Sequence, residues 1–277
     1  METRKPYPGI GHALLLLLLQ FCLVLGLYLL TGIAAAVSGL ALDEKSPLLT
    51  LMDVLAYGIV LYVGFRQART PFRTVFAFTS FPVALLLPLI PLVIGTGIVA
   101  SEVDNLTRWL FPVPQIITDF FGDLLRPDLL SLIAVAVIAP ANEELLFRGL
   151  ILGGFLGRYP LRTAVLGSAA IFALFHLNPY QFFTAFVAGI ILAWLFIHTR
   201  SLWPCIAAHS LFNAQAWAVA NLVDLGVPGY DPVNPASTVV DFQPLWFDAL
   251  GIALFAAGVL LVRRIAPQNR PAEAAAR

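Results

Sequence analysis

The feature that most restricts what this chain can fold into is the recurrence of apolar runs about 20 residues long. A run of that length crosses a ~30 Å hydrocarbon core as a helix rising 1.5 Å per residue. Such runs lie near residues 10–37, 47–65, 77–100, 128–157, 161–178, 181–199, 202–221 and 245–264. Lipid offers no partner for a free backbone N–H or C=O, so the expected fold class is all-α: a polytopic transmembrane helix bundle with about eight spans. Composition agrees, because 12% charged residues against 60% hydrophobic ones could not cover the surface of a soluble chain of 277 residues.

Charge asymmetry orients the bundle. With eight crossings, Arg4, Lys5, Arg66, Arg69, Arg73, Arg158, Arg162, Arg200, Arg263, Arg264, Arg270 and Arg277 fall on one side. Only Lys45, Arg108 and Arg126 fall on the other, which gathers the acids Asp43, Glu44, Glu102, Asp104, Asp119, Asp123, Asp128, Asp224, Asp231 and Asp241. The positive-inside rule then puts both termini in the cytoplasm, for a multi-pass protein of the cell (inner) membrane. Arg4 and Lys5 before the first run, with Ala34, Ala35 and Ala36 near its end, imitate a signal peptide. The apolar stretch is too long for one, and a spanning anchor is expected. Net charge is zero and the basic residues are scattered, which argues against a nucleic-acid partner.

One integral membrane domain is expected, in three stretches. Residues 1–127 hold the N-terminal transmembrane helices and an interfacial segment. Residues 128–221 form a helical core, and 222–277 hold a non-cytoplasmic loop, the last span and a cytoplasmic tail. Within 101–127, Trp109, Phe111, Phe120, Phe121 and Leu124 alternate with acids, as in a helix lying at the interface. Gly226, Pro228, Gly229, Pro232 and Pro235 make 222–244 an irregular loop, and the tail 266–277 is read as disordered. Cys22 and Cys205 sit in separate apolar runs and are read as packed free thiols. No internal repeat suggests the inverted halves of a transporter.

The chemistry is concentrated where a span should carry no charge: Ala141-Asn142-Glu143-Glu144-Leu145-Leu146-Phe147-Arg148. Each ionisable side chain at mid-membrane costs roughly 2.5–3.5 kcal/mol on insertion scales, so three within six residues need a compensating reason. Glu144 and Arg148 are four apart, on one helix face, with the acid first. Glu143 is turned by about 100° and left without that partner. One acid held ionised and one free to exchange a proton is a division of labour suited to catalysis. A buried ion pair fixing helix register would account for Glu144 and Arg148 but would leave Glu143 idle. Pro140, just upstream, removes a backbone donor and is expected to kink or restart the helix and admit water.

Two further runs carry a histidine with a partner one turn away, Phe172 with His176 and His209 with Asn213. Either alone reads more simply as an interhelical donor, and together with the two acids they read as one site. His198 and His12 lie at span ends and are read as interfacial. Asp53, inside the second run, has no evident purpose: a polar helix contact and a water-lined cavity both fit it.

E-E-x-x-x-R, F-x-x-x-H and H-x-x-x-N, in that order on three spans, resemble the CPBP superfamily of intramembrane endopeptidases, the CAAX prenyl proteases and bacteriocin-processing enzymes also called Abi. The motifs fall at Glu143, Glu144 and Arg148, at Phe172 and His176, and at His209 and Asn213, and the resemblance covers roughly residues 128–217. It implies a glutamate-dependent protease acting inside the membrane on a membrane-associated protein or peptide. Glu143, with His176, would activate water; His209 and Asn213 would stabilise the oxyanion; Glu144, Arg148 and Phe172 would support them. A zinc-dependent version is the weaker form of this reading, since H-E-x-x-H is absent and Asn and Arg are poor zinc ligands. A non-catalytic membrane protein on the same fold, serving bacteriocin immunity or scaffolding, is the alternative of a different class. Nothing in the chain selects between a prenylated CAAX tail, a bacteriocin leader and a sorting tail as substrate.

Overall fold

The computed structural model describes residues 6–39, 47–230 and 240–266. Arg4, Lys5, Asp43, Glu44, Lys45, Asp231, Pro232, Pro235, Arg270, Arg277 and nearly all of the expected disordered tail lie outside the described residues. Among the described residues every regular element is helical. The helices named below are α1 (Ile10–Ser38), α2 (Pro47–Ala68), α3 (Val83–Leu110), α4 (Gln115–Leu124), α5 (Leu129–Leu156), α6 (Leu161–Phe175), α7 (Pro179–Thr199), α8 (Leu202–Asn221) and α9 (Leu245–Ile265).

Each expected run has its helix, and the all-α membrane bundle stands. Six helices, α1, α2, α3, α5, α7 and α9, are long and apolar enough to cross a membrane. The other two runs differ for separate reasons. α6 stops at Phe175, 15 residues long, because Leu177 takes a left-handed φ of 49° and Asn178 caps the next helix by accepting the Tyr180 N–H. α8 reaches 20 residues, with His209, Asn213, Gln215 and Asn221 diluting its hydropathy. The third run also shifts: Phe72–Phe76 is a separate helical turn, and α3 continues through Asp104 to Leu110. Of the stretch 101–127, the part that forms a helix separate from α3 is α4.

Local chemistry sets the helix ends. Gly39 closes α1 in the left-handed conformation, its N–H returning to the Ala35 carbonyl. Asp128 caps α5, accepting the Ser131 N–H at 2.8 Å and the Arg126 Nε at 3.0 Å. Those two donors, the Ser131 amide first, hold its carboxyl below the usual range. The cap is thus present at neutral pH and is lost as pH falls through that lowered value.

The core gathers around α5. Phe147, Phe155, Phe172, Leu146, Leu150, Ile151 and Leu195 are all but inaccessible. α3 and α9 approach closely: a Cβ on Gly258 would sit 2.5 Å from the Leu92 nitrogen, and one on Gly95 2.3 Å from that of Phe255. Backbone contact of this kind supplies helix association in lipid, where apolar burial alone gives little. Cys205 is buried and Cys22 exposed, and both are free thiols.

Candidate active site

Pro140 sets the local geometry of α5. The stretches Ala134–Ile138 and Leu145–Leu152 are π-helical, flanking an α-helical Ala139–Glu144. In the first stretch the Ala139 N–H bonds to the Ala134 carbonyl, five residues back. The next donor in that register would come from residue 140, a proline with no N–H, so the Val135 carbonyl loses its helical partner. Asn213 of α8 fills the gap, its Nδ2 donating to Val135 O at 2.9 Å. The expected break at Pro140 is therefore a change of helical register inside a continuous helix, tied from outside by a residue 78 positions away.

The next turn presents the two glutamates, and they differ as the sequence suggests. Glu144 is fully buried, its Oε1 accepting from Arg148 Nη1 at 2.6 Å and from His209 Nδ1 at 2.8 Å. A carboxylate bonded to an arginine only accepts, so Nδ1 carries a proton there and the ring turns Nε2 the other way. That Nε2 faces Glu143, 3.8 Å from its Oε2. The separation is too long for a hydrogen bond and short enough for one water to reach both atoms with legs of about 2.8 Å. Glu143 Oε2 is buried and has no protein partner. His209 therefore bridges the two acids, bonded to one and facing the other.

Phe172 organises what surrounds this pair. Its ring lies 4.5 Å below the Arg148 guanidinium carbon, edge-on to His176 at 4.9 Å and to His209 at 5.8 Å between centroids. The cation sits over the negative face of the ring, which offsets some of the lost hydration of Arg148. Gly189 of α7 makes room: a Cβ there would approach Ala169 Cα to 2.9 Å, and without one its carbonyl reaches Arg148 Nη2 at 3.4 Å. His176, half-buried at the end of α6, donates from Nδ1 to the Phe172 carbonyl at 2.9 Å, which leaves its Nε2 outside that bond.

The structure thus brings Glu143, Glu144, Arg148, Phe172 and His209 into one connected group. His176 joins through the ring of Phe172 and makes no hydrogen bond to Glu143 among the described residues. Asn213 joins through the Val135 carbonyl. Sequence reasoning did not single out Tyr57, a buried residue of α2 within electrostatic reach of both Glu143 and Asp53. Its place one turn after Asp53 is the signal that could have found it. Asp53 itself accepts from the Tyr28 hydroxyl of α1 at 3.2 and 3.3 Å, so it makes a polar helix contact. His198 donates to the Trp194 carbonyl, and His12 packs on the Tyr7 ring.

Glu144 Oε1 and His209 Nδ1 are spent on each other, and among the described residues no three His, Cys, Asp or Glu side chains gather as a metal site.

Comparison with known proteins bears out the resemblance carried by the motifs. Residues 125–215 match the family model described as type II CAAX prenyl endopeptidase, Rce1-like. A putative membrane peptidase, YdiL, from Bacillus subtilis (strain 168) is 28% identical over 91 residues, 33% of this chain. The match spans 37% of that protein's length. No solved structure matches. The matched stretch contains every residue of the connected group.

Proposed function

We propose, from the likeness of residues 125–215 to CAAX prenyl endopeptidases, that this chain is an intramembrane endopeptidase in which Glu143 activates water against a peptide bond of a membrane-associated substrate. The observation that carries the reading is the unpartnered Glu143 Oε2, held 3.8 Å from a His209 Nε2 whose other nitrogen is fixed by Glu144. Glu144 Oε2 is also buried without a donor, but that carboxylate is held through Oε1, whereas Glu143 accepts no hydrogen bond among the described residues and is the readier proton acceptor.

The steps follow from the atoms. Water between Glu143 and His209 gives one proton to Glu143 as its oxygen attacks the scissile carbonyl carbon. The tetrahedral oxyanion takes hydrogen bonds from the Nε2–H of His209, which enters the step already protonated at both nitrogens with Glu144 balancing its charge, and from the second amide hydrogen of Asn213. Glu143 then passes its proton to the leaving nitrogen as the C–N bond breaks, giving an amine and a carboxylic acid, and the second water proton moves from the acid to the amine to leave a carboxylate and an ammonium group. Arg148 keeps Glu144 ionised throughout. His176, edge-on to the same Phe172 ring as His209, helps to hold the water. No metal is required by this scheme. A prenylated tail is one substrate among several that it accommodates.

The test is a comparison of membrane-protein termini in cells making the wild-type chain or Glu143→Ala at equal level. New termini that vanish in the variant are the expected result and identify the substrate. Identical termini in both would overturn the reading in favour of immunity or scaffolding.

A further inference from the structure

A large cavity lies away from the carboxylates. It lies at the other end of α5, enclosing about 1060 Å³ between the start of α1, the end of α2 and the last turns of α5. That is the upper end of the range for small-molecule sites. Arg66 and Arg69 come from the end of α2, Arg158 follows α5, and His12 and Tyr7 close the side. No carboxylate lines it, and among the described residues neither Arg66 nor Arg69 has an ion-pair partner. Arg158 has only a long hydrogen bond, 3.4 Å to the Pro6 carbonyl, and the face of Tyr159.

The floor is made by the absence of side chains. Gly149 and Gly153 line it, and a Cβ added to Gly153 would meet nothing nearer than the Arg148 carbonyl at 4.0 Å. Gly153 is in ordinary helical conformation, φ −55° and ψ −47°, so no backbone strain demands glycine there. A glycine that neither packing nor φ requires leaves empty space beside three guanidinium groups. Those groups are planar donors suited to phosphate oxygens. Around them, Leu14, Leu15, Leu18, Ile59 and Tyr62 are exposed apolar side chains of the same two helices, a surface for acyl chains.

We propose that this cavity is an anion site for a phosphate group, filled by the headgroup of an anionic phospholipid whose chains lie along α1 and α2. Basic pockets between spans at the basic membrane face are suited to such headgroups.

The test counts lipids bound to the purified full chain in a neutral maltoside detergent by native mass spectrometry, with phosphatidylglycerol or phosphatidylcholine added. Phosphatidylglycerol is expected to half-saturate one site at a concentration at least about tenfold lower than phosphatidylcholine. Arg66→Gln/Arg69→Gln/Arg158→Gln is expected to remove that preference. So is Gly153→Leu, which puts a side chain on the cavity floor, keeps every charge and improves helix propensity. Arg263→Gln/Arg264→Gln, at the same basic end but outside the cavity, is expected to leave it intact. Inorganic phosphate titrated into the wild type separates the sources. Displacement of phosphatidylglycerol supports recognition of the lipid phosphate. Phosphate bound in a Gly153→Leu-sensitive way, with no lipid preference, keeps the anion site and assigns it to free phosphate. Neither ligand binding selectively, or equal loss in the Arg263/Arg264 variant, would overturn the site.

Discussion

The α1–α2 hairpin and the α5–α8 core both carry acid into the membrane, and they neutralise it differently. In the hairpin, Asp53 is half-buried among exposed leucines and is met by one hydroxyl, from Tyr28. In the core, Glu144 is met by a guanidinium and an imidazole, with a phenyl face under the cation. Glu143, its neighbour in sequence, accepts no hydrogen bond among the described residues and faces only the His209 Nε2 at 3.8 Å. A single hydroxyl suffices where an acid can neutralise itself by taking up a proton. The arginine, the histidine and the ring are needed where one carboxylate must stay charged so that the next can be left free.

The largest expected effect falls on the acid with no partner. Glu143→Gln should lower the rate on the substrate found by terminus mapping by about 10²–10⁴-fold, the range for a general base. Its thermal unfolding temperature in detergent should stay at or above that of the wild type, because no protein bond is lost. Glu144→Gln at the same assay should reduce rate and stability together. If the two variants behave alike, the division between a free and a held acid is wrong.

Removing the cation attacks the held acid instead. Arg148→Met leaves Glu144 buried with only His209, and breaking a buried pair in this way costs about 3–5 kcal/mol. The expected outcome is a large drop in unfolding temperature and in membrane yield. Arg148→Met/Glu144→Gln should recover part of it, since the uncompensated charge is gone. Full stability of Arg148→Met alone would show that Glu144 is protonated in the fold.

Asn213 gives a smaller and sharper test. Asn213→Ala should cost about 1–3 kcal/mol by leaving the Val135 carbonyl without a donor. Pro140→Ala restores a backbone N–H in the register that needs it, so the double variant should be more stable than Asn213→Ala alone. Simple additivity in this cycle would show that the proline and the asparagine are not coupled.

These residues also show where sequence stops being informative. The Glu144–Arg148 pair is local, one helical turn, and could be read directly from spacing, as could the orphan position of Glu143. Most apolar runs became helices within a few residues because hydrocarbon thickness dictates their length. The junction at His176 and Leu177 was missed because apolar residues continue past it, while a left-handed backbone turn leaves no mark in hydropathy. His209 reaching Glu144 across 65 residues depends on how α8 lies against α5, which no spacing encodes. The Asn213–Val135 bond is hidden twice over, since it needs both the π-helical register and the packing. Motif matching found Asn213 and gave it a role at the oxyanion. The geometry adds that one of its two amide hydrogens is already engaged in holding α5.

The smallest effect should come from the hairpin. Tyr28→Phe removes the one described hydrogen bond of Asp53 at an exposed, lipid-side position. A hydrogen bond of that kind is worth about 0.5–1.5 kcal/mol net, and the carboxyl can answer its loss by binding a proton or by reaching water. Asp53→Asn keeps an acceptor for Tyr28 and should cost less still, with unfolding temperatures close to wild type for both variants. Cleavage should be unaffected if the hairpin only encloses the core. Tyr57 makes this worth measuring, because it stands within electrostatic reach of both Asp53 and Glu143. A rate loss in Asp53→Asn at unchanged stability, abolished in a Tyr57→Phe background, would mean that the hairpin's acid acts on the core through that tyrosine. The two regions would then be one electrostatic system, and the contrast between them one of degree.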